Sequence, residues 1–114
     1  MPHCVIEYAR SLADKCDLSE LLRRVHQAAF DSGLFGLEDI KTRALAVDHY
    51  LTGSGHAEFV HINLKILSGR SAEQKQQLSQ RVLGAAVSFL GDLIASCSVE
   101  VSDMDRASYA KKVS

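Results

Sequence analysis

The residue with the clearest chemical potential is Pro2, which follows Met1 and precedes a short strand-like run. If Met1 is removed after translation, Pro2 becomes an N-terminal secondary amine, a base that no internal proline can supply. A model α-amino group titrates at about 7.7–8.0, and burial or nearby cations disfavour its protonated form. A base whose pKa lies near the working pH suits proton transfer. Pro2 is therefore the candidate catalytic residue, on the condition that Met1 is lost.

Three basic residues are candidates for binding an anion beside such a base. Arg70 directly precedes Ser71, a predicted helix N-cap, so its guanidinium and the helix amides are expected to face one region that suits a carboxylate. Lys41 and Arg43 share one face of a predicted strand and add positive charge for a second carboxylate. Structural explanations remain open: Arg70 as a solvated arginine, and Lys41 with Arg43 as charges that protect an edge strand.

Composition excludes several classes of protein. The 114 residues suffice for one domain, 1–114, and 13 basic against 14 acidic residues leave a net charge of -1, with no field for nucleic acid or an anionic membrane. No run approaches the roughly 18 apolar residues of a membrane span. The three cysteines are odd in number and lack a CxxC, which favours a reduced cytoplasm over a disulfide framework. The five histidines show no metal-ligand spacing, so no metal site is expected.

The first half of the chain reads as strand, helix, strand. Residues 2–9 alternate but are apolar on both faces, which predicts a central strand. Asp17 is the predicted N-cap of the helix, with Glu20 placed as in a capping box, and Gly33 closes it. Alternation over residues 40–51 predicts the second strand, which carries the basic pair.

The second half repeats this order. Residues 59–66 alternate clearly as a strand, Ser71 and Gln74 form a capping box before a long helix, and Val99 and Val101 mark a last strand. The repeats span about 2–51 and 57–102. Right-handed crossovers place both helices on one face of a four-stranded mixed sheet, an α/β two-layer sandwich of the α+β class. The uncovered sheet face predicts oligomerisation, and the polar tail, 105–114, is expected to fray or pack on a neighbouring subunit.

Several separated runs together resemble one known family, the 5-carboxymethyl-2-hydroxymuconate isomerase family of the tautomerase superfamily (4-oxalocrotonate tautomerase/MIF-like). The matching runs occur in order along the chain: Met1-Pro2-His3, Val5-Ile6-Glu7-Tyr8, Phe59-Val60-His61, Leu64-Lys65-Ile66 and Gly69-Arg70-Ser71. The resemblance implies a homotrimer of β-α-β repeats, without metal or organic cofactor. It also implies that an N-terminal proline moves a proton on a small unsaturated di- or tricarboxylate in aromatic catabolism.

By position, the resemblance makes Pro2 the catalytic base and acid and Arg70 a carboxylate-binding residue. Lys41 and Arg43 stand where the family tends to have two arginines one residue apart. Two alternatives stay open: another reaction of the superfamily, such as dehalogenation or decarboxylation of a small acid, or a non-catalytic trimeric binding protein. The last applies if Met1 is retained, because Pro2 would then hold its nitrogen in an ordinary amide.

Overall fold

The computed structural model describes residues 1–114 and builds them into two β-α-β units that share one sheet. The strands and helices, in chain order, are β1 His3–Ala9, α1 Leu18–Asp31, β2 Lys41–Val47, β3 Phe59–Leu67, α2 Ala72–Leu90 and β4 Ser96–Met104. The sheet order is β2-β1-β3-β4, with β1 parallel to β2, β3 parallel to β4, and β1 antiparallel to β3. The predicted four-stranded mixed sheet is confirmed, and β1 lies inside it.

One apolar core lies between the sheet and the two helices. The strands alternate as predicted, so that Ile6 of β1 and Ile62 of β3 are fully buried beneath Leu21 and Val25 of α1 and Leu78 of α2. Burying each side chain of this size stabilises the fold by about 1.5–3 kcal/mol relative to leaving it exposed. Both helices therefore cover the same face of the sheet. Neither helix has the length and apolar character needed to cross a membrane.

The start of α1 differs in one detail from the expected capping box. Asp17 is the N-cap, and its side chain accepts a hydrogen bond from the Ser19 N–H at 3.0 Å. Glu20 does not reach back to the cap, because its carboxylate pairs with Arg23 and Arg24 one turn further along the helix. Hydrogen bonds from these two arginines lower the pKa of Glu20 to about 2. Asp17 is confirmed as the predicted N-cap. The predicted return hydrogen bond from Glu20 to the cap backbone is not formed.

The start of α2 has the complete capping box. The Ser71 Oγ accepts from the Gln74 N–H at 3.1 Å, and the Gln74 Oε1 accepts from the Ser71 N–H at 2.9 Å. The prediction is confirmed, and two backbone donors at this helix start are already used.

Strand β2 is shorter than predicted and ends at Val47 rather than at Leu51. Asp48 turns away from the sheet and pairs with Arg10, which follows β1. His49, predicted to continue the strand face of the basic pair, therefore lies beyond the strand. Gly53, with φ of 60°, makes the tight turn that follows.

The C-terminal tail, residues 105–114, is bonded to its own subunit rather than frayed, and its packing on a neighbouring subunit stays a prediction. The Arg106 Nε donates to the Ser68 carbonyl at 2.5 Å, and the Lys111 Nζ lies 3.2 Å from the Asp39 Oδ1. These polar contacts hold the tail against the end of β3 and the segment before β2. The tail's low hydrophobicity concealed this, since its anchors are charges and hydrogen bonds.

Candidate active site

A pocket of about 470 Å³ lies where the N-terminus, the loop after α1 and the C-terminal tail meet. Its walls combine apolar and charged side chains: Met1, Leu34, Phe35, Gly36, Asp39, Leu67, Arg70, Tyr109 and Lys111. Two cations and one carboxylate thus share a space bounded by apolar side chains. Such a composition suits a small anion with an apolar carbon skeleton.

Pro2 is joined to Met1 of this pocket wall but does not itself line the pocket. Its side chain is less than 2% exposed, and its carbonyl accepts a hydrogen bond from the Lys41 N–H at 3.0 Å. Met1 forms part of the pocket wall, and its terminal nitrogen donates to the Asp39 carbonyl at 2.9 Å. With Met1 attached, the free amine belongs to Met1 and the Pro2 nitrogen is an amide. Loss of Met1 transfers the free amine to Pro2.

The electrostatic environment of this terminal amine favours its neutral form. Burial is the largest cause that lowers the pKa of the Met1 amine, Asp39 opposes it, and Lys111 and Lys41 lower it further. The pKa of the Asp39 carboxyl is lowered chiefly by the hydrogen bond from Lys111 and then by the positive terminal amine. The amine, the carboxylate and the lysines therefore influence one another's protonation.

Arg70 is half-buried in the pocket wall. Its Nη2 donates to the Leu34 carbonyl at 2.7 Å, and its guanidinium carbon lies 5.5 Å from the centre of the Phe35 ring. These contacts fix the planar group while leaving other N–H donors free for an anion. The expectation that Arg70 shares an anion site with the amides of α2 stays a prediction, although two N–H groups at this helix start already have partners. The N–H groups of Ser71 and Gln74 are taken by the capping box.

The basic pair on β2 lies outside the pocket walls. The Lys41 Nζ is 3.5 Å from the Asp39 carbonyl, the group that also holds the Met1 nitrogen, so Lys41 lies beside the terminal amine. Arg43 faces the side of the sheet without helices, and its Nη1 is 3.1 Å from the Nδ1 of His3. The structure thus places Arg70 in the pocket wall, Pro2 next to Met1 of that wall, Lys41 near the terminal amine, and Arg43 against His3.

Three pocket residues escaped sequence reasoning: Asp39, Tyr109 and Lys111. The Tyr109 hydroxyl lies 2.5 Å from the Met1 Sδ and 3.0 Å from the His3 Nε2. Of the three, only Tyr109 stands out in the sequence, as one of two large apolar side chains in an otherwise polar tail. A contact across 108 positions leaves no local pattern.

The histidines form no metal centre. The His26 Nδ1 lies 2.8 Å from the Thr42 Oγ1, and His61 is bonded to Ser98 and Glu100 on the open face of the sheet. No group of three or more His, Cys, Asp or Glu side chains is arranged to hold a metal ion.

Two β-α-β units that share one four-stranded mixed sheet define the tautomerase-like class of folds. The family model for 5-carboxymethyl-2-hydroxymuconate isomerase matches residues 2–113. The chain belongs to this family.

Known proteins support both the family and the fold. The chain is 33% identical over 82 residues to 5-carboxymethyl-2-hydroxymuconate Delta-isomerase of Escherichia coli, covering 70% of this chain and 65% of that relative, just under two thirds of its length. A 5-carboxymethyl-2-hydroxymuconate isomerase from Deinococcus radiodurans R1 superposes with a TM-score of 0.87 at 24% identity, covering 97% of this chain and 88% of that one. A fused 4-OT, described as a wild-type symmetric trimer, gives 0.77 at 18% identity, covering 96% and 93%. The predicted tautomerase fold is confirmed.

The ion pair between Lys111 and Asp39 predicts a measurable titration. Because Lys111 is the largest cause of the lowered carboxyl pKa, Lys111→Gln should raise the pKa of Asp39, as followed by NMR of its carboxyl carbon. A folded pKa below the unfolded value means that this pair stabilises the chain above the ordinary carboxyl pKa. That contribution is lost as the pH falls through the lowered value.

Lys112→Gln is the matched control, since it removes the same charge from the adjacent exposed tail position. It should shift the Asp39 pKa much less. Equal shifts in the two variants would mean that general tail charge, and not the Lys111 contact, sets this pKa.

Proposed function

We propose that this chain is an isomerase that moves a proton on a small unsaturated di- or tricarboxylate such as 5-carboxymethyl-2-hydroxymuconate. Pro2 acts as base and acid after Met1 is removed. The observation that carries the proposal is the position of Met1. It occupies the wall of a pocket lined by Arg70 and Lys111 while joined to a buried Pro2. Its removal enlarges that pocket and leaves a secondary amine at its edge.

The proton transfer needs an amine that is neutral in the resting enzyme. Burial and the charges of Lys111 and Lys41 lower the pKa of the terminal amine in the chain with Met1, and the Pro2 nitrogen would inherit these surroundings. The neutral amine removes a proton from one position of the substrate and becomes an ammonium. It then returns a proton to a different carbon, so the double bond moves with no net change in atoms or charge.

The carboxylates and the carbon chain have separate partners in the pocket. Arg70, held by Leu34 and Phe35, presents a planar set of donors that suits a bidentate carboxylate. Lys111 is a second cation within the same walls, and a substrate carboxylate would compete with Asp39 for it. Leu67 adds to the apolar surface that would face the unsaturated carbons.

The β2 pair takes a supporting part in this proposal. Lys41 lies close enough to the terminal amine to affect its pKa and to meet a carboxylate that projects from the pocket. Direct contact between Arg43 and substrate stays a prediction from sequence. Within one subunit, its guanidinium is engaged by His3.

The same proposal includes a homotrimer in the cytoplasm. The trimer is proposed from the family resemblance and the fold shared with a symmetric trimer. It would also protect β2, an edge strand that leaves the Leu45 side chain 50% exposed. The three free cysteines, Cys4, Cys16 and Cys97, suit a reducing compartment. The substrate class suits aromatic catabolism.

Replacing the base tests the proposed chemistry. Pro2→Ala, assayed by ketonisation of 5-carboxymethyl-2-hydroxymuconate, should lower kcat/KM by at least about 10²-fold, because the secondary amine in its tuned position is lost. In the unaltered enzyme, kcat/KM should rise with pH through a midpoint below the ordinary amine pKa, as the amine loses its proton. Intact-mass measurement must show that Met1 is absent from the active protein. Undiminished turnover by Pro2→Ala, or full activity in a Met1-bearing chain, would sink the proposal.

Removing the pocket arginine tests substrate binding. Arg70→Gln should raise KM by about 10- to 100-fold, since a charge-assisted hydrogen bond contributes roughly 1.5–3 kcal/mol. Arg81→Gln is the control, because it removes an exposed charge from α2 outside these walls. Equal effects of the two substitutions on KM would assign the loss to overall charge and not to a carboxylate contact.

The oligomeric state can be measured directly. Light scattering should give a mass three times the 12.5 kDa of the chain, independent of concentration in the micromolar range. A stable monomer or dimer would contradict the proposed trimer.

A further inference from the structure

His3 connects Arg43 to the Tyr109 hydroxyl at the edge of the pocket. The Arg43 Nη1 lies 3.1 Å from the His3 Nδ1, and the His3 Nε2 lies 3.0 Å from the Tyr109 oxygen. The ring centres of His3 and Tyr109 are 6.2 Å apart. Both ring nitrogens of the half-buried histidine are therefore engaged, one by each neighbour.

The direction of each hydrogen bond follows from the groups involved. A guanidinium can only donate, so the His3 Nδ1 must accept from Arg43 and carry no proton. The proton of the neutral ring is then on Nε2, which donates to the Tyr109 oxygen. Burial, followed by the charges of Arg43 and Lys41, lowers the pKa of His3, in agreement with a neutral ring.

This assignment leaves the Tyr109 hydrogen free to point elsewhere. In the chain with Met1, it points to the Met1 Sδ, 2.5 Å from the hydroxyl oxygen. A thioether sulfur is a weak acceptor. When Met1 is removed, the hydroxyl loses this partner and faces the part of the pocket that the Met1 side chain had filled.

We propose that the Tyr109 hydroxyl donates a hydrogen bond to the enol oxygen of the substrate, and that His3 and Arg43 are positioning residues that keep it donating. This inference rests on the proposed function of Pro2. Negative charge grows on that oxygen when Pro2 removes a proton, and a donor already oriented towards it stabilises the transition state. The Tyr109 proton stays on its own oxygen. Pro2 alone accepts and returns the proton that moves.

The tail has anchors that do not depend on this hydroxyl. Arg106 is bonded to the Ser68 carbonyl and Lys111 to Asp39, on either side of Tyr109. A Tyr109→Phe chain keeps the ring and both anchors. The substitution therefore removes one donor without releasing the tail.

The first test compares two substitutions that each remove one tyrosine hydroxyl. Tyr109→Phe should lower kcat for 5-carboxymethyl-2-hydroxymuconate by about 10²-fold while KM changes by less than about threefold, as expected for a donor used in the transition state. Tyr50→Phe is the control. Its hydroxyl bonds the His56 carbonyl at 3.3 Å, away from the pocket, so kcat should stay within about twofold.

The second test asks whether His3 acts through Tyr109. His3→Leu removes the donor to the tyrosine oxygen and should lower kcat, and His3→Gln, whose amide can donate, should restore part of it. His3→Leu should cost little more in the Tyr109→Phe background, because residues in one hydrogen-bonded chain are not additive. If His3 were merely structural, His3→Leu would lower kcat by the same factor in the unaltered chain and in the Tyr109→Phe chain. That result would remove His3 from the proposal.

The outcomes separate this inference from the function on which it rests. If Pro2→Ala loses activity but Tyr109→Phe keeps kcat within about twofold, the tyrosine role is overturned and the proline mechanism stands. If Pro2→Ala keeps full activity, both are overturned. Loss of kcat in both variants, with Tyr50→Phe unchanged, supports both.

Discussion

The position of β1 inside the sheet is the constraint on which the rest of the site depends. Chain ends usually fray unless they are tied into a sheet. Here β1 is paired on both sides, to β2 and to β3, and the Lys41 N–H continues the pairing to the Pro2 carbonyl. The residue that would become the N-terminus is thereby held by main-chain hydrogen bonds. A catalytic amine needs this, because proton transfer is sensitive to small displacements.

The charged groups around this end of β1 act on one another. Asp39 holds the terminal nitrogen through its carbonyl and Lys111 through its carboxylate. The carboxylate opposes the effect of burial on the amine, while Lys111 and Lys41 reinforce it. A substrate carboxylate that binds Lys111 would weaken the hold of Asp39 on that lysine. In the proposed function, a substrate carboxylate would replace Asp39 as the partner of Lys111, so that this cation would stay paired.

The helices and strands were largely predictable, and the misses have identifiable causes. Alternation in β3 and the capping box at Ser71 and Gln74 are local signals, and the structure has both. Glu20 was predicted to complete a capping box because sequence spacing alone does not show whether its carboxylate bonds the cap backbone or a neighbouring arginine. In the fold, the two arginines ahead of it offer stronger charge-assisted bonds than the cap backbone does. The end of β2 was missed because the pairing of Asp48 with Arg10 joins residues 38 positions apart.

By itself, the sequence determined the order of the elements, the faces they bury, and the roles suggested for Pro2 and Arg70. These depend on periodicity, caps and residue type at a position, all of which are local. Only the tertiary structure decided that Asp39, Tyr109 and Lys111 lie around Met1, and that Arg43 meets His3. Such contacts join polar side chains whose partners lie up to 108 positions away, so no local pattern encodes them. For this reason no role in the site was predicted for the tail from the sequence, although two of its residues line the pocket.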